Sequence, residues 1–368
     1  MKIAFDSQIF TMQEYGGISR YICSLAQQLN THHDVEAKIF APLHINAYAD
    51  TLPSSLAYGV KVPRIRNTGR IVHAASQLLS RVAISRFKPQ FVHETYYAAR
   101  SVAPKGTKKV VTVYDMIHER LPDMFPKYDQ TSKLKREAVL RADHVICISE
   151  NTKQDLLELV PVSPEKISVV YLGFDQLMSI DEKPNLKDSI VKLPYLLFVG
   201  GRGYYKNFNG LLQAYANSSW IMQNYRIVCV GDGKLRADEL KLMSTLGISE
   251  WQVEQVNAND TLLAQLYKYA AAFVYPSKYE GFGIPPLEAM SMGCPVICSN
   301  SSSIPEVVGD AGEYFDPDKI DSMRVAIECV LQDKDLREIL VKKGIERCKF
   351  FSWKQCASET LAIYRSIV

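Results

Sequence analysis

The stretch Tyr275-Pro-Ser-Lys-Tyr-Glu-Gly-Phe-Gly-Ile-Pro-Pro-Leu-Glu-Ala-Met290 carries the clearest structural signal in this 368-residue chain. An apolar strand pattern ends at Tyr275, and a loop containing Gly281 and Gly283 follows. Two prolines then open a helix, at a position where a missing backbone N–H does no harm. The free N–H groups and positive dipole end of such a helix start suit an anion or sugar hydroxyls. The stretch therefore predicts a strand–loop–helix unit with a ligand-binding turn.

The same alternation of short β-branched runs and helical patterns extends through the chain and indicates parallel sheets. It predicts strands at residues 3–5, 37–40, 91–93, 110–113, 144–148, 167–170, 195–199, 227–230, 273–275 and 295–297. We expect an α/β protein with two Rossmann-like domains facing each other across a cleft. The predicted domains are residues 1–180 and 181–350, with a polar linker at 175–194. Residues 351–368 are expected to form a helix that crosses back onto the first domain.

Composition is that of a globular protein: hydrophobic residues make up 47% and charged residues 23%, with a net charge of +3. These values exclude extensive disorder and do not suggest a nucleic-acid partner. Eight scattered cysteines are expected to be free thiols in a reducing cytoplasm. No apolar signal region or membrane-length apolar run occurs, so we predict a cytoplasmic protein. The basic run 133–136, with Arg64, Arg66 and Arg70, either meets anionic lipid at the inner membrane or forms solvated helix faces.

A second segment, residues 198–207, runs from a strand into a glycine-rich turn that ends with Arg202 and Lys206 at a helix start. Two cations at a helix N-terminus can neutralise a diphosphate and stabilise it as a leaving group. The G-x-G-x-x-G fingerprint and the Walker Lys-Ser/Thr pair are both absent from this segment. The pattern therefore predicts a diphosphate site, with a solvated basic turn as the alternative.

The first half of the chain carries two further candidate segments. Gly16 and Gly17 follow the first strand and lead into a helix, so they form either a backbone nest for an anion or a flexible turn. Asp115 and His118 follow the strand that ends near residue 113. An imidazole at that strand end could hydrogen-bond a sugar hydroxyl, or it could be a loop histidine without a chemical role.

Glu280 and Glu288 enclose the Gly-Phe-Gly core with seven residues between them. In this the chain resembles the retaining glycosyltransferases of family 4, which have the GT-B fold. The resemblance implies that Glu280 contacts the transferred sugar, as a catalytic residue, and that Glu288 contacts the ribose of the nucleotide. It also implies that the backbone approaches the donor's sugar and phosphates at Gly281, Phe282, Gly283 and Ile284.

The resemblance extends to the other candidate segments. It implies that Arg202 and Lys206 bind the donor diphosphate, and that Gly16 and Gly17 lie near the phosphates and the acceptor. Asp115 matches the family's aspartate. The histidine that commonly precedes this aspartate is replaced by Tyr114, so the resemblance leaves open whether Tyr114 or His118 fills that role.

By this resemblance the chain is a metal-independent, retaining hexosyltransferase without a cofactor. The neighbourhood of Asp115 resembles bacterial mannosyltransferases of O-antigen and other surface polysaccharides, which favours GDP-mannose as donor and a glycan or lipid-linked glycan as acceptor. UDP-sugars stay open as donors. The rival hypotheses are a nucleotide-sugar epimerase, a phosphorylase on the same fold, and a two-domain carbohydrate-binding protein.

Overall fold

A computed structural model of the protein describes residues 1–65, 68–177 and 193–368, which form two compact units. Met1–Gly173 and Ser352–Val368 form the first unit, and Phe174–Phe351 forms the second. The chain thus returns to the first unit at Ser352, one residue after the predicted start of the last segment. The predicted boundary between residues 180 and 181, and most of the predicted linker 175–194, lie outside the described residues.

The first unit is built on a seven-stranded parallel sheet with the order β3-β2-β1-β4-β5-β6-β7. Its strands are β1 (Lys2–Phe5), β2 (Glu36–His44), β3 (Ala57–Lys61), β4 (Phe91–Glu94), β5 (Lys108–Val113), β6 (His144–Cys147) and β7 (Ile167–Val169). Its helices are α1 (Gln8–Met12), α2 (Gly17–Leu29), α3 (Ala47–Asp50), α4 (Gly69–Phe87), α5 (Ile117–Arg120), α6 (Thr131–Arg141), α7 (Glu150–Leu159) and, at the chain end, α16 (Trp353–Ser366).

The inner strands of this sheet are largely buried because helices cover the sheet. Every residue of β4 and β6 is buried, as are the last four of β5. Strands buried on both sides lose the alternation of apolar and polar residues and become short continuous apolar runs. Helix α7 is capped by Ser149, whose Oγ accepts from Thr152 N at 3.0 Å.

The last helix is anchored deep in the first unit. The Trp353 ring lies 6.1 Å from that of Tyr21 on α2. Near the other end of α16, the Tyr364 hydroxyl lies 2.6 Å from Nδ1 of His93 on β4. Gly173 lets the returning chain pass, since a Cβ there would lie 2.2 Å from the backbone N of Trp353. The crossing back onto the first domain that the sequence predicts is therefore present within this unit.

Buried His93 makes folding depend on pH. Thr112 and Tyr364 bond its two ring nitrogens, and burial lowers its pKa from 6.5 to about 3. Below pH 6.5 the unfolded histidine binds a proton that the folded one excludes, so stability present above pH 6.5 is lost as the pH falls towards 3. This loss amounts to about 2 kcal/mol between pH 7 and pH 5. Urea unfolding at both pH values checks it: His93→Gln should lose about 2 kcal/mol less than the wild type, and equal losses would contradict the assignment.

The second unit is built on a six-stranded parallel sheet with the order β10-β9-β8-β11-β12-β13. Its strands are β8 (Tyr195–Val199), β9 (Arg226–Val230), β10 (Val253–Val256), β11 (Ala272–Tyr275), β12 (Val296–Ser299) and β13 (Gly312–Phe315). Its helices are α8 (Phe208–Ala216), α9 (Ser219–Asn224), α10 (Ala237–Thr245), α11 (Asp260–Tyr269), α12 (Ile284–Ser291), α13 (Ile304–Val308), α14 (Ile320–Gln332) and α15 (Lys334–Cys348).

Both units therefore have Rossmann-like parallel sheets, and the predicted α/β class is confirmed. In each sheet the strand order changes direction at one place, between β1 and β4 in the first unit and between β8 and β11 in the second. In doubly wound sheets, ligands bind outside the carboxyl ends of the strands at such a place. The topology thus points to two edges where functional loops should gather.

Candidate active site

Two loops meet where β8 and β11 lie side by side at the carboxyl edge of the second sheet. The lysine loop, residues 200–207, follows β8, and the glutamate loop, residues 276–283, follows β11. Lys278 N donates to the carbonyl of Tyr205 at 2.7 Å and so joins the two loops. The change in strand direction therefore brings together segments that are far apart in the sequence.

Lys206 and Glu280 meet at this junction, although 74 positions separate them in the chain. Lys206 Nζ donates to Glu280 Oε1 at 2.6 Å, and both side chains are largely buried. The ammonium also lies 5.7 Å from the centroid of the Tyr275 ring. Tyr275 hydrogen-bonds Glu280, and burial raises the tyrosine pKa well above 10, so the phenol stays neutral. The predicted cation and the predicted sugar-contacting carboxylate thus form one charged pair at low solvent exposure, where electrostatic interactions are strong.

Two serines after β12 fix the shape of the glutamate loop. Ser302 Oγ accepts from Glu280 N at 2.8 Å. Ser303 Oγ lies 2.9 Å from the carbonyl oxygen of Glu280 and 2.8 Å from that of Phe282. Sequence reasoning missed both serines. The available signal was the run Ser301-Ser-Ser303 directly after a strand, since hydroxyl-rich loops at strand ends hold backbone groups.

The helix that follows the glutamate loop begins as the sequence predicts. Gly283 has φ 126°, a backbone region that favours glycine, and α12 starts at Ile284 with proline in its first turn. Phe282 is buried, with its ring 5.7 Å from that of Phe351. Glu288 lies one turn inside the helix, where its Oε2 accepts from the Tyr267 hydroxyl at 3.3 Å. The loop, the helix start and both glutamates therefore belong to one rigid segment.

Arg202 does not join this charged pair among the described residues. Its side chain is 0% exposed, and Nε donates to Glu239 Oε1 at 3.0 Å. The terminal nitrogens donate to the backbone carbonyls of Gly231, Gly233 and Lys234. A guanidinium with these contacts organises the loop after β9 and presents no exposed surface to a diphosphate. In this geometry Lys206 is the cation next to Glu280, and the predicted contact of Arg202 with the donor diphosphate stays a prediction.

The glycine pair of the first unit, Gly16 and Gly17, lies at the N-terminus of a helix. Gly16 is the N-cap of α2, and Gly17 is its first residue. A Cβ at Gly17 would meet no atom within 4 Å, whereas one at Gly16 would collide with the Gln13 side chain. The free N–H groups of a 13-residue helix point along its axis at this end. The backbone is therefore arranged as an anion nest requires, and its contact with donor phosphates stays a prediction.

Asp115 is fixed by Lys135, a buried lysine of the basic run 133–136, for which the sequence analysis expected either a lipid contact or a solvated helix face. Lys135 is almost fully buried, and its Nζ donates to the Asp115 carbonyl at 2.7 Å and to Glu119 Oε2 at 2.8 Å. The Asp115 carboxylate accepts from Ile117 N at 3.1 Å and lies 3.6 Å from the ammonium. The turn after β5 is thus pinned in one conformation, and Asp115 keeps a partly exposed carboxylate.

Tyr114 and His118 differ sharply in their surroundings. The Tyr114 hydroxyl is buried and donates to the Thr95 carbonyl at 3.0 Å. The His118 ring stacks on Phe125 at 3.8 Å, and burial lowers the pKa of the imidazole from 6.5. Among the described residues no hydrogen-bond partner reaches its Nδ1. This nitrogen is buried, and whether Tyr114 or His118 fills the family's histidine role stays open, as does the predicted catalytic role of His118.

The first unit also has a pocket of about 520 Å³ near the carboxyl ends of β1 and β2. Residues of α1, of the segment after β2 and of the start of α4 line it: Thr11, Met12, Ile45, Pro63, Arg64, Ile65, Thr68, Gly69 and Val72. The lining is mostly apolar with one arginine. Such a surface can receive a partly apolar, anionic molecule.

Across residues 1–65, 68–177 and 193–368, no cluster of three or more His, Cys, Asp or Glu side chains is arranged as metal ligands are. Within the same residues, no helix has the length and apolar composition that crossing a membrane requires. Metal independence and cytoplasmic location both stay predictions.

Comparison with protein families gives two matches that together span most of the chain. Residues 15–176 match the family described as Glycosyltransferase Family 4. Residues 179–347 match the family described as Glycosyl transferases group 1. The first match ends and the second begins close to the division between the two units.

Individual proteins give the same result. The chain is 29% identical to O-antigen chain mannosyltransferase B of Escherichia coli, over 95% of this chain and 96% of that protein. Among solved structures, sucrose-phosphate synthase from Thermosynechococcus elongatus has a TM-score of 0.76 at 17% identity, covering 100% and 99% of the two chains. Anabaena HepE, solved in complex with UDP and glucose, has a TM-score of 0.71 at 17% identity and covers 100% of both chains. These likenesses confirm the predicted GT-B fold.

Proposed function

Because the chain belongs to glycosyltransferase family 4, we propose that it transfers mannose from GDP-mannose to a glycan or lipid-linked glycan in bacterial surface polysaccharide synthesis. That it is a glycosyltransferase follows from the family. The mannosyl donor is supported by the O-antigen mannosyltransferase to which the chain is similar over nearly its whole length.

The Lys206–Glu280 pair at the edge of β8 and β11 is the observation that carries the proposal. The Lys206 ammonium would turn from Glu280 to the β-phosphate and stabilise the charge that develops on the departing nucleoside diphosphate. Glu280 would then accept hydrogen bonds from hydroxyls of the transferred sugar. Glu288, already held by Tyr267, would bind the ribose diol. One cation and two carboxylates thus suffice to place the donor's phosphate, sugar and ribose.

We further propose that transfer retains the anomeric configuration and needs no metal. The bond from the anomeric carbon to the phosphate oxygen breaks as the acceptor oxygen bonds the same face of that carbon, and the phosphate oxygen takes the acceptor's proton. Lys206 and the N–H groups at the start of α12 supply the positive charge that a metal would otherwise provide. Gly16 and Gly17 would add N–H groups to the phosphates. Asp115 and His118 would orient sugar hydroxyls.

The acceptor is placed on the first unit, in the 520 Å³ pocket near β1 and β2. Its apolar lining and Arg64 suit an acceptor that joins a glycan to an anionic lipid carrier. A UDP-sugar donor is the second candidate, favoured by the shared fold with a protein solved with UDP and glucose. A peripheral membrane contact is part of the proposal, because a lipid-linked acceptor resides in a membrane.

A thermal-shift screen with GDP, UDP, ADP and their common sugars, without metal, tests the proposal. We expect GDP-mannose to raise the melting temperature selectively, corresponding to about 2–3 kcal/mol at saturating ligand. Glu288→Gln should reduce the shift, because it weakens the ribose contact, whereas the exposed Glu338→Gln should not change it. A selective shift with UDP-sugars would transfer the assignment to the second candidate. A shift with none of the nucleotides would contradict the donor site.

A further inference from the structure

Helix α4 packs on the sheet of the first unit through small polar side chains. Ser76 and Ser80 are fully buried. Ser76 Oγ accepts from Leu43 N at 3.3 Å, and Ser80 Oγ donates to the Phe40 carbonyl at 3.0 Å. These bonds fix the rotation of the helix on β2, so the face that it turns outward is determined by the packing.

The outward face of α4 is apolar. Ile71 is 68% exposed and Leu78 66%, and Leu79 and Val82 are also exposed. The spacing from 71 to 78 to 82 places these side chains along one side of the helix. A helix on the surface of a water-soluble domain normally has the opposite pattern, with charged residues outward. A continuous exposed apolar stripe of this kind marks an interaction surface.

Cations surround this stripe, and acidic residues are absent from the surrounding sequence. Residues 51–93 contain no Asp or Glu and seven Lys or Arg, although the whole chain carries a net charge of only +3. Arg70, Arg81 and Arg86 lie on α4 itself and are exposed. Arg64 and Lys61 precede it, whereas Arg66, which the sequence analysis grouped with them, lies outside the described residues. The surface therefore combines exposed apolar side chains with uncompensated positive charge.

An anionic lipid bilayer has the complementary chemistry. Helices that lie in the membrane interface insert apolar side chains at the level of the headgroups and place arginines against the lipid phosphates. A protein partner would need an apolar groove lined with acidic side chains to match this surface. An anionic bilayer presents apolar chains and negative charge everywhere on its surface. The absence of a membrane-spanning helix among the described residues is compatible with a helix lying in the plane.

We propose that the outward face of α4, defined by Ile71, Leu78, Leu79 and Val82 with the flanking arginines, docks the protein on an anionic membrane. The first turn of α4 also lines the 520 Å³ pocket through Gly69 and Val72. Docking would therefore bring that pocket to the lipid surface, where a lipid-linked acceptor is found. The docking surface gives a location to the peripheral membrane contact of the proposed function, and the step that brings the acceptor to the pocket rests on that function.

Vesicle sedimentation with the full chain tests the docking surface. Wild-type protein should bind vesicles of phosphatidylcholine with about one-third phosphatidylglycerol at least ten-fold more tightly than phosphatidylcholine alone, since each basic residue near an anionic surface strengthens binding about five-fold. L78Q/V82Q and R70Q/R81Q should each weaken binding about ten-fold or more. The matched control V325Q/I339Q, which removes two exposed apolar residues of the second unit, should bind as wild type.

Equal binding by wild type, L78Q/V82Q and R70Q/R81Q would overturn the assignment, as would failure of the wild type to bind anionic vesicles. A concentration-dependent dimer that L78Q/V82Q abolishes, without vesicle binding, would mean that the surface pairs two copies of the chain and would also overturn it. The nucleotide thermal shift of both variants should equal that of the wild type, which verifies their fold. Vesicle binding without any nucleotide shift would contradict the proposed function and leave the docking surface standing.

Discussion

Glu280→Gln is expected to lower kcat for sugar transfer by about 10²–10³-fold, the usual effect of removing one preorganised electrostatic partner of a transition state. The amide keeps the size of the carboxylate, and Ser302 and Ser303 hold the loop through backbone atoms that the substitution leaves in place. Lys206 and Tyr275 lose their charged partner, so hydroxyls of the sugar are no longer held by a full negative charge. The measurement is kcat and KM for transfer from the nucleotide sugar selected in the thermal-shift screen.

Nucleotide affinity should change only a few-fold in Glu280→Gln, since the proposed ribose contact of Glu288 and the cation Lys206 both remain. Glu338→Gln, a substitution on the exposed face of α15, serves as the control and should retain full kcat. A Glu280→Gln protein with unchanged kcat would exclude Glu280 from the reaction. Loss of nucleotide affinity with normal turnover of bound donor would move its role from the sugar to the nucleotide.

The sequence predicted every inner strand of both sheets but only one of the four edge strands, β7. The ten predicted strands correspond to β1, β2, β4–β9, β11 and β12, whereas β3, β10 and β13 were missed. All three are edge strands. Four of the five residues of β3 are exposed, and β10 and β13 are half-exposed for most of their length. An edge strand is covered only in part by neighbouring strands and helices, so it needs no continuous apolar run. The sequence pattern that identifies inner strands is therefore absent.

The positions of Glu280 and Lys206 at the carboxyl edge of the second sheet could be predicted, because each lies in a loop that follows a strand next to the change in strand direction. The buried contacts of Arg202 could not, because its partners lie 29 to 37 positions later in the chain. The sequence shows where a cation lies within its own loop. It does not show which buried carboxylate a distant segment of the chain places next to that cation. The burial of Lys135 could not be predicted for the same reason, because its partners Asp115 and Glu119 precede it by 20 and 16 residues.

Arg202→Ala is expected to destabilise the second unit by about 3–5 kcal/mol, the usual cost of breaking a buried ion pair by removing one partner. The substitution removes the hydrogen bonds to three backbone carbonyls of the loop after β9 and leaves a cavity beside Glu239. For a unit of this size the melting temperature should fall by roughly 10 °C. Differential scanning fluorimetry without ligand measures it.

Arg236→Ala is the matched control, because Arg236 Nη2 also lies 2.9 Å from Glu239 Oε1 but from the solvent side. Arg236 is 42% exposed, so solvent screens its side of the pair, and this variant should lose less stability than Arg202→Ala and melt closer to the wild type. Lys206→Ala should lose more nucleotide affinity than stability, the opposite of Arg202→Ala, since its ammonium is the cation that faces the site.

If Arg202→Ala instead kept its melting temperature and lost the nucleotide shift, the guanidinium would have to leave Glu239 when the donor binds. Its role would then be the one that the family resemblance implies, and the buried geometry would describe only the donor-free state.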